Sequence, residues 1–116
     1  MSDEIQVEVQ RLNSRTAVIN LAGDVTTFAE KPITGAYKQI SDWGVKNVVF
    51  NFRENDYINS AGIAILIGIV TEARKRKQRL LMAMPSSHFQ KIFRMVGLTQ
   101  YADIHNSIDE AINSVK

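Results

Sequence analysis

The chain has 116 residues, 45% hydrophobic and 22% charged, which are ordinary values for one globular domain with one packed core. Its 14 Lys and Arg nearly balance 12 Asp and Glu, and a formal charge of +2 gives no reason to expect direct nucleic-acid binding. There is no cysteine, which excludes disulfides, thiol catalysis and cysteine-based metal sites and fits a reducing cytosol.

The opening MSDEIQVEVQ carries acids where a secretory signal needs a positive end and an apolar stretch. Within residues 4–10, Ile5, Val7 and Val9 alternate with Gln6, Glu8 and Gln10, the period of a half-buried strand. LNSR supplies a turn and TAVINLAG a second strand, so the two form a hairpin. Gly23-Asp24 closes it, and Thr26 or Thr27 can cap a helix carrying Phe28, Ile33, Tyr37 and Ile40 at near-helical spacing up to DWG. Pro32 and Gly35 interrupt that pattern, so the helix either starts after Pro32 or has an irregular first turn. VKNVVFNF reads as a third strand, RENDY as a loop, and residues 60–76 as a second helix. RLLMAM is a fourth strand closed by Pro85, and SSHFQKIFRMVG a capped helix with Phe89, Ile92, Phe93 and Val96 on one stripe and Gly97 as its stop. A short strand near Ile104 and a last helix in SIDEAINSVK complete the order. Alternating strands and helices predict an α/β fold, a small, mostly parallel sheet with an antiparallel strand at one edge, in a single domain over residues 1–116.

Catalytic chemistry finds little support. A serine nucleophile needs a base, and neither His88, read as a first-turn residue of a surface helix, nor His105, read as a loop residue, has a context for that role. The stretch around Ser60 lacks the glycine two positions earlier that a nucleophile elbow requires. Glu54 and Asp56 lack the companions of a calcium loop, and Gly62 and Gly68 are not followed by the Lys and Ser/Thr of a phosphate-binding loop. No cofactor or metal is expected, and the Gly62 helix terminus is the one feature that would suit a nucleotide. RKRKQR, residues 74–79, falls at a helix end, where cations complement the dipole, and has no interleaved aromatics. The apolar run Ile63–Val70 is far shorter than the roughly 20 residues that span a bilayer, so no membrane partner is expected, and the chain reads as cytoplasmic.

The remaining candidate is NSAGI, where the polar loop meets the second helix. Asn59 or Ser60 can cap that helix, which is apolar nearly all round from Ala61 to Val70. Ile58, Ile63 and Ile67 flank the serine, so an exposed remainder there would be a docking patch. A phosphate on Ser60 would add about −1.5 to −2 charges to it, which the helix terminus tolerates and an apolar or acidic partner does not.

This arrangement resembles the STAS domain of bacterial anti-sigma factor antagonists, whose hallmark is a strand, a short loop and Asp-Ser-Ser/Thr-Gly-Leu opening a helix. The matching residues are Asn59, Ser60, Ala61, Gly62 and Ile63, and VINLAGDVT, KNVVFNF, RLLMAMPSSHFQKIFRMVGL and YADIHNSIDEAI are similar to the rest of the family pattern in order. The resemblance implies a non-enzymatic regulator. Its partners would be a serine protein kinase that doubles as an anti-sigma factor and a PP2C-type phosphatase that restores the active form. It also implies Ser60 as phosphoacceptor and a partner surface on Asp24, Ile58, Asn59, Ala61, Gly62 and Ile63. Asn59 stands where the family has Asp, Ala61 where it has a second hydroxyl, and Thr26 where an acid is common. A constitutive STAS scaffold, in a signalling particle or a transporter complex, is the alternative, with Ser60 serving only the helix start.

Overall fold

The alternating first segment forms β1 (Gln6–Arg11), paired antiparallel with β2 (Thr16–Ala22). In the connecting turn the Asn13 side-chain oxygen accepts from the backbone N–H groups of Arg15 and Thr16 at 2.8 and 2.9 Å, the local bonding that makes Asn a turn residue. The computed structural model describes residues 5–54 and 57–116. After β2 a 3-10 turn (Thr27–Ala29) leads into α1 (Glu30–Asp42), then β3 (Asn47–Glu54), α2 (Ser60–Lys75) and β4 (Arg79–Ala83). α3 (Ser87–Met95), a second 3-10 turn (Leu98–Gln100), β5 (Ala102–His105) and α4 (Ile108–Asn113) follow.

The sheet runs β1-β2-β3-β4-β5, with β2 to β5 parallel, which is the mixed, mostly parallel α/β architecture that the element order predicts. Strands laid down in sequential order with crossovers of one hand must place every crossover helix on the same face. Accordingly Ile33 and Ile40 of α1, Leu66 and Ile69 of α2, and Phe89 and Phe93 of α3 share one core with Ile19, Phe50, Phe52, Leu80 and Met82 of the sheet. Phe52, Phe89 and Phe93 meet edge to face with centroids 5.2 Å apart at each step, an arrangement the ring quadrupoles favour. The opposite face is covered by α4 and the residues after it, where Ile108, Ala111, Ile112 and then Val115 pack on Val18, Val49, Leu81 and Ala83. Burial on both faces is why β4 and the Val48–Phe50 stretch of β3 read as apolar runs and not as alternation, with buried Asn51 donating to the Asn20 side-chain oxygen at 2.8 Å.

Several boundaries differ from the sequence reading, each for a local reason. The helix begins before Pro32, which occupies the third residue of α1, where a backbone N–H has no intrahelical acceptor to lose. The irregular start is the 3-10 turn, capped by the Thr26 hydroxyl accepting from Phe28 N–H at 3.3 Å. Phe28 lies in that tighter turn, out of phase with the stripe of α1, and is 76% exposed instead of buried. Val96 also leaves its expected stripe and is 49% exposed, because α3 ends at Met95 and Gly97 turns the chain with φ 78°. β4 stops at Ala83, since Met84 adopts φ 59°, and α2 stops at Lys75 with Arg76 as its cap. The basic run at that end is spread over specific contacts: Arg74 lies 4.0 Å over the Tyr101 ring, Arg76 pairs with Glu72 at 3.1 Å, and Arg79 with Asp103 at 2.8 Å. Among the described residues no helix is long and apolar enough to cross a membrane.

Candidate functional site at the start of α2

Parallel strands bring the loops at their carboxyl ends to one edge of the sheet. Here the loop after β2 and the segment before α2 are stitched together. Val25 and Ile58 form a parallel bridge, Val25 N–H donates to the Tyr57 carbonyl at 2.9 Å, and Asn59 N–H donates to the Val25 carbonyl at 3.3 Å. Val25 and Ile58 are both buried, so the stitch has an apolar anchor as well as backbone bonds. Asp56, expected in an acidic loop here, lies outside the described residues.

Asn59 has extended backbone at the N-cap of α2, and its side-chain oxygen accepts from Gly62 N–H at 2.9 Å. Of the two cap candidates the asparagine therefore holds the bond, and Ser60 is the first helical residue. Ser60 is exposed, and its hydroxyl makes no hydrogen bond among the described residues. Gly62 is required by a close approach: a Cβ there would lie 2.1 Å from the Val25 carbonyl oxygen and 2.8 Å from Ile58 Cγ1. The Gly62 backbone is therefore not open, because its N–H is taken by Asn59 and its Cα faces the neighbouring loop.

The residues expected at the partner surface divide by burial. Asp24 and Ser60 are exposed, Asn59 and Ala61 half-buried, and Gly62, Ile58 and Ile63 buried, at 3% and 8% exposure for the two isoleucines. Ile58 and Ile63 thus face inward, and the apolar surface that continues from Ser60 is another one. Helical spacing puts Ala64, Ile67, Gly68 and Thr71 on the exposed side with Ser60, and Ile67 is 36% exposed. Exposed Phe28 stands on the adjacent 3-10 turn, and Thr27, Glu30, Ala61, Ala64 and Ile65 line a shallow groove of about 280 Å³ between that turn and α2. On the other side of Ser60 a groove of about 480 Å³ has Ile58, Ile63 and Ile92 as its apolar lining and Tyr57, Asn59, Ser60 and His88 around it. Phe28 and His88 are the two residues at this site that reading along the sequence misses, because each comes from a segment distant from NSAGI.

His88 sits in the first turn of α3, as its sequence context indicates, whereas His105 is the last residue of β5 and not a loop residue. His105 Nδ1 lies 3.2 Å from the Glu110 carboxylate. The Asn106 N–H donating to Glu110 at 2.8 Å, and then His105, hold that carboxyl below the usual glutamate range.

The family model of the STAS domain matches residues 5–111. The chain belongs to the STAS domain family. Its fold as a STAS domain is similar to that of several solved structures. The Bacillus cell fate determinant SpoIIAA in its phosphorylated form is 23% identical, with a TM-score of 0.78 over 96% of this chain and 100% of that one. An anti-sigma factor antagonist from Mycobacterium paratuberculosis is 15% identical, with a TM-score of 0.83 over 99% of this chain and 97% of that one. A sulfate transporter family protein from Wolinella succinogenes is 16% identical, with a TM-score of 0.73 over 85% of this chain and 83% of that one. No curated protein matches this STAS domain by sequence. At these identities the likeness is one of fold.

Proposed function

We propose that this STAS domain is a phosphorylation-switched anti-sigma factor antagonist, bacterial and cytoplasmic, a single domain over residues 1–116 with no catalysis of its own. The unphosphorylated protein binds a serine kinase that is also an anti-sigma factor and so releases the sigma factor. A phosphate on Ser60 breaks that association, and a PP2C-type phosphatase restores it.

The observation that carries this reading is the division of labour at the start of α2. The cap is held by Asn59, which leaves the Ser60 hydroxyl exposed and without a hydrogen bond among the described residues. A group added at Ser60 therefore removes no bond that the helix needs. The first turn of a helix carries unpaired N–H groups and the positive end of the dipole, so it accepts a phosphate of about −1.5 to −2 charges. A partner packed on Phe28, Ala64 and Ile67 would have to bury that charge in an apolar contact, which is costly. Binding falls and the fold persists. In this reading Asp24, Asn59 and Ala61 touch the partner, with Ile58, Gly62 and Ile63 holding the surface in place from below. Asn59 keeps the capping oxygen of the Asp usual in the family, and Ala61 leaves Ser60 as the one hydroxyl in NSAGI. The likeness to a phosphorylated form of SpoIIAA supports the same reading.

Incubation with the cognate kinase and ATP is expected to add one phosphate, absent from Ser60→Ala. Ser60→Asp is expected to give an unchanged circular dichroism spectrum and at least ten-fold weaker kinase binding. Phosphate elsewhere with Ser60 unmodified, or undiminished binding by the Asp variant, overturns the switch. The likeness to the Wolinella sulfate transporter family protein favours a second reading, a constitutive scaffold in a larger assembly. Stable co-purification with large partners and unphosphorylated Ser60 in cells would select it.

A further inference from the structure

We propose that His88 is the built-in partner of a phosphate on Ser60, so that the modified side chain is held in the groove between α2 and α3. This inference rests on the reading of Ser60 as phosphoacceptor and concerns how long the modified state lasts.

The placement follows from topology. β3 and β4 are parallel neighbours, so the helices that follow them start at the same edge of the sheet. Ser60 opens α2 and His88 lies in the first turn of α3, and both line the groove of about 480 Å³ with Tyr57, Ile58, Asn59, Ile63 and Ile92. Both are exposed, and the His88 imidazole has no hydrogen bond or ion pair among the described residues, so it is available to a new partner. Among the described residues the charged surroundings leave little competition. Neither helix has an acid in its first turn, α2 has no charged residue from Ser60 to Thr71, and α3 carries Lys91 and Arg94 beyond His88. Asp24, on the stitched loop, is not among the residues that line the groove.

A phosphate monoester loses its second proton near pH 6 and imidazole its proton near pH 6.5, so around neutrality each favours the charged form of the other. An imidazolium bonded to the phosphate keeps the monoester against the protein surface, where a phosphatase must first displace it. The phosphorylated state then lasts longer at pH 6.5 than at pH 8, and that difference disappears without His88.

Phosphoserine placed at position 60 during translation gives the modified protein without any kinase. NMR titration of the His88 ring is expected to show a midpoint about one pH unit higher in the phosphorylated protein than in the unmodified one. The phosphate midpoint, followed by 31P NMR, is expected to be lower than in phosphorylated His88→Gln. Dephosphorylation by a PP2C-type phosphatase at pH 6.5 is expected to be several-fold faster for His88→Gln, with the same enzyme acting equally on both at pH 8. An unshifted His88 midpoint, or an identical phosphate titration in the Gln variant, overturns the pairing and leaves the switch at Ser60 standing. Failure of kinases to modify Ser60 would instead overturn the switch.

Discussion

Gly62 and Asn59 show how two neighbouring residues share one task. The asparagine satisfies an N–H that the helix start would otherwise leave open, and the glycine lets that start lie against the Val25 carbonyl. The obstruction at Gly62 is backbone, which a rotamer change cannot relieve. Gly62→Ala is therefore expected to destabilise the protein by about 1–3 kcal/mol, the usual range for overpacking, even though alanine has the better helix propensity. Urea denaturation measures this, and a variant as stable as the parent would show that the loop yields freely. The same pair marks a limit of sequence reading. Asn59 and Ser60 are both good caps by residue type, and the choice between them depends on helix phase. That phase is set by how closely residue 62 approaches a strand loop more than thirty positions earlier in the chain.

Among the elements, α4 is held at its start by two side chains. Ser107 caps it by accepting from Glu110 N–H at 3.0 Å, and Glu110 reaches back to the Asn106 N–H at 2.8 Å and to His105 at the end of β5. The serine and glutamate have capping-box spacing, but the carboxylate bonds one residue earlier than the box requires. Because these bonds favour the ionised form, the Glu110 carboxyl titrates below its ordinary value of 4.5 in the folded protein. Its stabilising contribution is thus complete above the unfolded value and is lost as pH falls through the lower, folded one. Glu110→Gln is expected to lose less stability than the parent between pH 4.5 and pH 3. Parallel urea midpoints across that range would show that the carboxylate is not linked to folding. Elements as such are legible in the sequence: the strands and helices appear in the predicted order, because each buries a periodic face. Their ends are less so. Phe28 and Val96 have the right spacing for a stripe, yet they stand on a 3-10 turn and a helix cap, where the spacing no longer points inward.

At the scale of the whole molecule, one sheet separates a large core under three helices from a small one under α4. Adjacent residues of β4 serve opposite sides, Leu80 and Met82 the larger core and Leu81 the smaller. A loss on the small side must therefore be felt on the large one. Leu81→Ala is expected to cost about 2–5 kcal/mol. It should lower the thermal midpoint equally by far-ultraviolet circular dichroism and by fluorescence of the one tryptophan, Trp43, which packs on the larger core. Separate transitions by the two probes would mean that the cores melt independently. The candidate site is also a product of this scale. NSAGI is visible as a contiguous segment, whereas Phe28 and His88 join it only because a sequentially ordered parallel sheet starts its helices along one edge.

The bridge between Val25 and Ile58 has a consequence for how such a chain can vary. Connecting segments ordinarily absorb added or missing residues with little effect, since they run free over the surface. Here two of them behave as a single splice, and the spacing from Val25 to Asn59 is held by backbone bonds at both partners. A change of residue type along these segments leaves the backbone bonds in place, whereas a change of segment length does not. A gain or loss of one residue on either side would rotate the Ser60 hydroxyl away from its groove without altering any residue of NSAGI.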